Sequence, residues 1–264
     1  MSPVLIRFGP LTVRWYGLMY AISLLVGVFI VSSEVRRKEL ELKFEDILDF
    51  VLIVFLFGLA GARLYFVFFN WNFYAANPFA IVGMGNGSSG FGMSGLAIHG
   101  GLIGGLIGLL LFVRWKNVRF WQFADSVAPA IIMGQALGRF GNFMNGDAFG
   151  TPTGLPWGIE FPRGTPAGNI YPNTPLHPTM LYELVINLSI FFLLWRLRKK
   201  DYRDGFIASL YFILYSVGRS VVSVFRGGSL WLGPLRASHV ASIILIALFS
   251  YFLVSRKLYL KKST

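Results

Sequence analysis

The sequence predicts an all-α polytopic membrane protein with about seven transmembrane helices. Hydrophobic residues make up 55% of the 264 positions and charged residues only 14%, whereas a soluble domain carries about a quarter charged residues. Apolar runs of about 18 residues or more recur along the chain, which is the length that a helix needs to cross a bilayer. The basic residues between these runs are concentrated in alternate connections.

Seven runs are predicted to form transmembrane helices within one integral membrane domain that covers residues 1–264. Their predicted bounds are 15–33, 48–69, 97–115, 120–140, 178–196, 205–225 and 238–255. The first run is too long for the apolar region of a signal peptide and lacks a clear small-residue cleavage site, so no cleaved signal peptide is expected. The chain contains no cysteine, which excludes a disulfide, a thiolate metal site and a cysteine nucleophile of its own.

The distribution of basic residues predicts the orientation of these helices. Sixteen basic residues lie in the connections on one side of the predicted membrane, within 36–43, 114–119, 196–203 and 256–262. The other side holds five, namely Arg7, Arg14, Arg163, Arg226 and Arg236. The positive-inside rule therefore predicts an outer N-terminus and a cytoplasmic C-terminus. The net charge of +12 is read as a topology signal and a contact for anionic lipids, not as a nucleic-acid site.

Two longer connections are predicted on the outer side. Residues 70–96 begin as an aromatic interfacial arm and continue into a turn rich in glycine and serine. Residues 141–177 are rich in proline and glycine, include β-like pieces such as 157–161, and are predicted to form a small periplasmic cap subdomain. No internal repeat is visible in the sequence, which argues against a transporter built from paired halves.

Three arginines lie inside predicted spans, at Arg63, Arg139 and Arg219. A charge in such a position is costly and marks a functional site by default. With about 1.5 Å of rise per residue, the predicted helix directions place all three in the outer third of the bilayer. The same depth is predicted for Tyr16, His99, Glu183 and Tyr215. Three cations against one carboxylate predict a lipid phosphate as the ligand, because arginine binds phosphate through forked hydrogen bonds.

Several of these groups also have a structural interpretation. Arg63 is explained equally well by an ion pair with Glu183. Arg139 is close enough to the interface to extend its guanidinium into the headgroup region. Tyr16 fits an interfacial aromatic belt.

Other polar or small residues are interpreted as structural. Asp49 and Asp125 lie near predicted inner helix starts, where carboxylates act as caps or complement the helix dipole. The glycines at 100, 104 and 108 have the spacing of a helix-packing face. The three histidines are too dispersed to predict a metal site, and no cofactor is expected.

The sequence GRFGNFMNGD at residues 138–147, with Gly150 after it, resembles the signature of bacterial prolipoprotein diacylglyceryl transferases. Further blocks resemble that family in the same order, at residues 14–20, 61–63, 99–104, 177–183 and 215–226. The resemblance spans nearly the whole chain. It implies transfer of the diacylglyceryl group of phosphatidylglycerol to the lipobox cysteine of a prolipoprotein signal peptide, with release of glycerol phosphate. It also implies a bacterial cytoplasmic (inner) membrane location, with the site toward the periplasmic side.

The resemblance assigns expected roles to individual residues. Arg139 and Arg219 are expected to hold the phosphate charge, and His99 is the expected general base for the thiol. Two alternatives to that base remain open: His99 is hydrogen-bonded at a helix N-terminus, or the arginines lower the thiol pKa unaided. The expected substrate-binding residues are Tyr16, Arg63, Asn142, Asn145, Asp147, Gly150, Glu183, Tyr215 and Arg226.

Two positions depart from the family pattern. Asp147 stands where relatives usually carry glutamate, so its reach is shorter by one methylene. Ser223 stands where a glutamate is common, four residues after Arg219. The sequence leaves two other classes of protein open: an intramembrane serine protease using Ser94 and His99 in a Gly-x-Ser-Gly context, and a lipid binder or transporter without catalysis.

Overall fold

The computed structural model describes residues 1–9, 11–82, 95–228 and 230–261, which are mostly helical. In chain order the elements are β1 (Val4–Phe8), β2 (Leu11–Arg14), α1 (Trp15–Arg37), α2 (Phe44–Phe69), α3 (Trp71–Ala76), α4 (Ile98–Trp115), α5 (Phe120–Asn145), α6 (Pro166–Ile170), α7 (Thr179–Leu197), α8 (Phe206–Phe225), β3 (Trp231–Leu232), β4 (Leu235–Arg236) and α9 (Ala237–Ser255). The chain folds as two compact units, one formed by Met1–Glu34 with Trp121–Thr264 and the other by Val35–Phe120.

Within the described residues, six helices are long and apolar enough to cross a membrane, namely α1, α2, α4, α7, α8 and α9. The predicted polytopic helical class is therefore confirmed. The remaining predicted span is α5, a helix of 26 residues that carries several polar side chains and is not among these six. The count of seven spans and their orientation stay predictions, as does the single domain over residues 1–264.

In the unit formed by Val35–Phe120, α2 and α4 pack through glycines. A Cβ added to Gly61 would lie 3.0 Å from the Cα of Gly104, and one added to Gly108 would lie 3.1 Å from the Cα of Val54. The small-residue spacing on α4 thus serves close helix packing, as predicted. Where α2 begins and α4 ends, Lys116 Nζ lies 2.5 Å from Asp46 and 3.6 Å from Asp49. The hydrogen bond to Asp46 raises the pKa of Lys116.

In the unit formed by Met1–Glu34 and Trp121–Thr264, two buried carboxylates organise the predicted cytoplasmic end. Asp125 of α5 accepts hydrogen bonds from the backbone N–H groups of Gly205 and Ala208, each at 2.8 Å. It therefore caps the first turn of α8. Glu34 of α1 forms a buried ion pair with Arg198, whose guanidinium also stacks 3.3 Å over the ring of Trp195.

The predicted cap begins later than expected because α5 continues to Asn145. Isolated β-bridges join Gly150 to Arg226, and join Pro152 and Ile159 to Leu176. The β-like piece at 157–161 is thus one bridge at Ile159, not a strand. A small apolar cluster fills the cap, made of Phe161, Ala167, Leu176 and Met180.

The predicted outer arm is α3 followed by a 3₁₀ helix at Pro78–Val82. Its Gly/Ser-rich turn at residues 83–90 lies outside the described residues.

Candidate active site

The centre of the candidate site is the carboxylate of Glu183, in the second turn of α7. Its side chain is only 5% exposed. Its Oε1 accepts hydrogen bonds from Arg219 Nη1 at 2.5 Å and from Arg226 Nη1 at 3.2 Å. Its Oε2 forms an ion pair with Arg139 Nη2 at 2.5 Å. One carboxylate therefore gathers three guanidinium groups, and the group of four keeps a net charge of +2.

Three helices supply this cluster, and α7 provides Glu183. Arg139 lies in the last two turns of α5, Arg219 lies in α8, and Arg226 directly follows the end of α8. Burial lowers the pKa of the Arg226 guanidinium, the charge of Arg219 lowers it further, and Glu183 opposes both effects. Tyr215 lies one turn before Arg219, with its ring stacked 5.9 Å from that of Tyr211.

A second polar cluster continues from Arg139. Its Nη1 donates to Asn142 Oδ1 at 3.1 Å. The Asn142 amide donates to the hydroxyl of Tyr16 and, at 2.7 Å, to Asp147 Oδ1. Asp147 Oδ2 accepts from the Tyr16 hydroxyl at 2.6 Å and from Asn145 Nδ2 at 3.0 Å. Hydrogen bonds and ion pairs therefore run without a break from Tyr16 to Arg226.

Two glycines explain why these residues meet. A Cβ on Gly141 would lie 3.2 Å from the ring of Tyr16, so glycine lets α1 approach α5 closely. Gly146 has a φ of +70° and turns the chain directly after α5. The turn returns Asp147 to the helix end, where its N–H donates to the carbonyl of Asn142 at 3.2 Å.

The two departures from the family pattern are both accommodated. Asp147 reaches Tyr16, Asn142 and Asn145 despite its shorter side chain. Ser223 is buried, and its hydroxyl lies 2.6 Å from that of Ser238 on α9. Ser223 thus ties α8 to α9, and Arg219 finds its carboxylate at Glu183.

Gly150 contributes to the site through its backbone. Its N–H donates to the carbonyl of His177 at 2.9 Å, and it pairs with Arg226 in a β-bridge. A Cβ at this position would lie 2.6 Å from the carbonyl oxygen of Phe225. The absence of a side chain therefore allows the cap to contact the chain beside Arg226.

His99 and Arg63 belong to the other compact unit. The side chain of His99 is exposed in the first turn of α4, and its ring stacks 6.1 Å from that of Tyr65. Arg63 donates to three backbone carbonyls of its own unit, those of Ile81 at 2.8 Å, Ala80 at 2.5 Å and Gly95 at 3.2 Å. Arg63 thus stabilises the chain on both sides of residues 83–94. Ser94 of the protease alternative lies outside the described residues.

The sequence pattern does not predict a contact for one residue of this region, Arg236. From the sequence, Arg236 is only a basic residue of an outer connection, yet its guanidinium donates to the backbone carbonyls of Ser223 and Arg226. A lone arginine next to a helix end was the only signal in the sequence.

The comparison with known families agrees with this geometry. Residues 3–255 match the model of a family described as prolipoprotein diacylglyceryl transferase. The chain belongs to this family. All of the site residues described above lie within the matched segment.

Curated relatives cover almost the whole chain. Three of them share the name phosphatidylglycerol–prolipoprotein diacylglyceryl transferase. The protein of Fusobacterium nucleatum is 38% identical, over 96% of this chain and 97% of its own length. That of Nostoc sp. is 40% identical over 94% and 86%, and that of Bacillus cereus is 39% identical over 97% and 93%.

Proposed function

We propose that this protein transfers the diacylglyceryl group of phosphatidylglycerol to the lipobox cysteine of a prolipoprotein, the first step of lipoprotein maturation. The observation that carries the proposal is the cluster of Arg139, Arg219 and Arg226 around Glu183. The excess positive charge of this cluster suits a lipid phosphate. The names of relatives of this protein contain both phosphatidylglycerol and prolipoprotein.

The reaction gathers negative charge on the phosphate. The sulfur of the cysteine forms a bond to the terminal glyceryl carbon while the bond from that carbon to the phosphate oxygen breaks. The electron pair leaves with glycerol phosphate, and the thiol proton passes to a base. Guanidinium groups that are already aligned stabilise the leaving group, an effect of about 10²–10³-fold for a single lost donor in comparable sites. Glu183 supports this role because it holds the three arginines together before the lipid binds.

The residues around Asp147 are suited to the polar part of the lipid. Asn142 and Asn145 are proposed to orient the headgroup, since each amide is already fixed by the Asp147 carboxylate. Tyr16 and Tyr215 are proposed to line the lipid path. Asp147 holds its neighbours through three accepted hydrogen bonds, and Arg63 is proposed to order the outer connection of its own unit.

His99 is proposed as the base that accepts the thiol proton. Its exposed side chain supports access by a substrate, and imidazole is the most frequent general base in enzymes. The thiol has an ordinary pKa of about 8.5 and is therefore mostly protonated at neutral pH. The positive charge of the arginine cluster would lower this pKa and also favour the ionised form. The proposal places this chemistry at the periplasmic side of a bacterial cytoplasmic membrane, because the basic residues predict that orientation.

The first experiment gives purified protein in detergent phosphatidylglycerol and a lipobox peptide, and follows release of glycerol phosphate. Release should require the peptide cysteine, should be lost in Arg139→Ala and Arg219→Ala, and should persist in Arg163→Ala, which removes an exposed arginine of the cap. A folded wild-type protein that binds the lipid but releases nothing would favour the lipid binder instead. Full activity of Ser94→Ala would remove the serine protease from consideration.

A further inference from the structure

Arg236, at the start of α9, holds the end of α8. Its Nη1 donates to the carbonyl oxygen of Ser223 and, at 3.2 Å, to the carbonyl oxygen of Arg226. The last carbonyls of a helix lack partners within the helix and carry partial negative charge. A guanidinium is therefore a favourable partner for them.

Arg236 is itself held in place. It pairs with Trp231 across the β3–β4 hairpin, and its guanidinium lies 5.3 Å from the ring of that tryptophan. The next residue, Ala237, donates its N–H to the carbonyl of Leu230 at 2.9 Å. A short side-chain contact between Ser223 and Ser238 adds a second tie between α8 and α9. The guanidinium is thus fixed relative to the carbonyls that it binds.

The backbone beside Arg226 is also held from the cap. The N–H of Thr151 donates to the carbonyl of Phe225 at 2.9 Å, and Gly150 forms the β-bridge with Arg226. Arg226 thus has its main chain fixed by the cap and by Arg236, while its side chain binds Glu183.

We propose that Arg236 is a positioning residue for the reaction, which acts by holding the main chain of Arg226 so that its guanidinium stays in the arginine cluster. The inference rests on the proposed function, because it requires Arg226 to contact the lipid phosphate. Arg236 acts through carbonyl groups, so its role is distinct from that of the arginines that surround Glu183.

The test is a double-mutant cycle on glycerol phosphate release. Arg236→Gln should lower kcat/KM by roughly tenfold, the size expected when a charged hydrogen bond is lost, mainly through a higher KM for phosphatidylglycerol. Arg236→Lys should recover most of this loss, because an ammonium also donates to two carbonyls. In an Arg226→Lys background, Arg236→Gln should have little further effect, since the residue through which it acts is already altered. Arg163→Gln is the matched control, and the thermal unfolding of every variant is measured beside it.

Three results would overturn the inference. One is an equal loss from Arg236→Gln in the presence and absence of Arg226. Another is a loss that follows only the fraction of unfolded protein. The third is failure of Arg236→Lys to recover activity although it is folded. If wild-type protein releases no glycerol phosphate, the proposed function itself fails, and the cycle on phosphatidylglycerol binding then decides the role of Arg236 alone.

Discussion

At the scale of single residues, Glu183 determines the electrostatics of the site. It is almost fully buried and is shared by three arginines. Removing one partner of a buried ion pair is costly because the remaining charges lose their compensation. Glu183 therefore compensates the charge of the arginines and holds them together; under the proposed function this also aligns them for the lipid phosphate.

Glu183→Gln should destabilise the protein by about 3–5 kcal/mol, the range for breaking a buried ion pair, and should also lower transferase activity. Thermal unfolding in detergent measures the first effect, with Glu160→Gln as the control because Glu160 is exposed on the cap. Equal melting temperatures for the two variants would show that the arginines do not depend on this carboxylate.

Arg139→Lys should reduce activity by about 10²-fold or more, although the charge is kept. Arg139 contacts Glu183 through Nη2 and Asn142 through Nη1, and a single ammonium does not reproduce this fork. The measurement is kcat/KM for glycerol phosphate release. An active Lys variant would mean that only charge matters at this position, and Arg163→Lys controls for the exchange itself.

That charged residues of these helices meet was more predictable than their pairing. A buried charge in a membrane span is functional by default, so Arg139, Arg219 and Glu183 were predicted from the sequence. The sequence suggested Arg63 as a partner for Glu183, but Arg63 binds backbone carbonyls and Glu183 binds three other arginines. Pairing depends on which helix faces pack together, and apolar patterning does not encode this in a helix that is hydrophobic on all sides.

At the scale of secondary-structure elements, contacts between segments distant in sequence fix the helix ends. The helix bounds follow the predicted spans within a few residues, because long apolar runs are a strong signal. The exception is α5, which extends to Asn145. The predicted cap begins at residue 141, where the sequence becomes rich in glycine and proline, whereas the helix continues and its Asn142 binds Tyr16 and Asp147.

Asp125→Ala should destabilise the protein by about 0.5–2 kcal/mol, the range for loss of a helix cap. Its carboxylate serves the N–H groups of Gly205 and Ala208 at the start of α8. Activity per folded molecule should not change, because Asp125 lies outside the arginine cluster. Asp201→Ala is the control, because Asp201 is exposed and lies four residues before Gly205. Equal melting temperatures for the two variants would refute the capping role of Asp125.

Gly150→Ala should greatly reduce activity because the added Cβ would lie 2.6 Å from the carbonyl oxygen of Phe225. Either the cap or the chain beside Arg226 must then move. Gly154→Ala is the matched control in the same cap, since a Cβ there meets nothing within 4 Å. Normal kcat/KM in Gly150→Ala would show that the position of Arg226 tolerates this movement.

At the scale of the whole molecule, the distribution of charge carries the prediction of topology. Sixteen basic residues on one side and five on the other favour a single orientation. By length and composition, six helices among the described residues are candidate spans. If α5 is a seventh span, the two termini are predicted to lie on opposite sides of the membrane.

The native chain has no cysteine, so single introduced thiols report this topology without background. Arg163→Cys should react with a membrane-impermeant maleimide added from outside. Lys200→Cys should react only after the membrane is permeabilised. The reverse pattern of labelling would invert the orientation, and labelling of both from outside would mean that the number of spans between them is even.

The polar character of α5 has a consequence for biogenesis. This helix supplies Arg139 and Asn142 but is not among the six apolar helices. The carboxylate that binds Arg139 belongs to Glu183. Glu183 leaves the ribosome only after the rest of α5, the cap and the first turn of α7 have been synthesised. A nascent chain that ends before α7 therefore exposes an uncompensated arginine, and insertion of α5 is expected to be completed late, together with α7. The ion pair between Arg139 and Glu183 would thus couple the membrane insertion of two helices during translation.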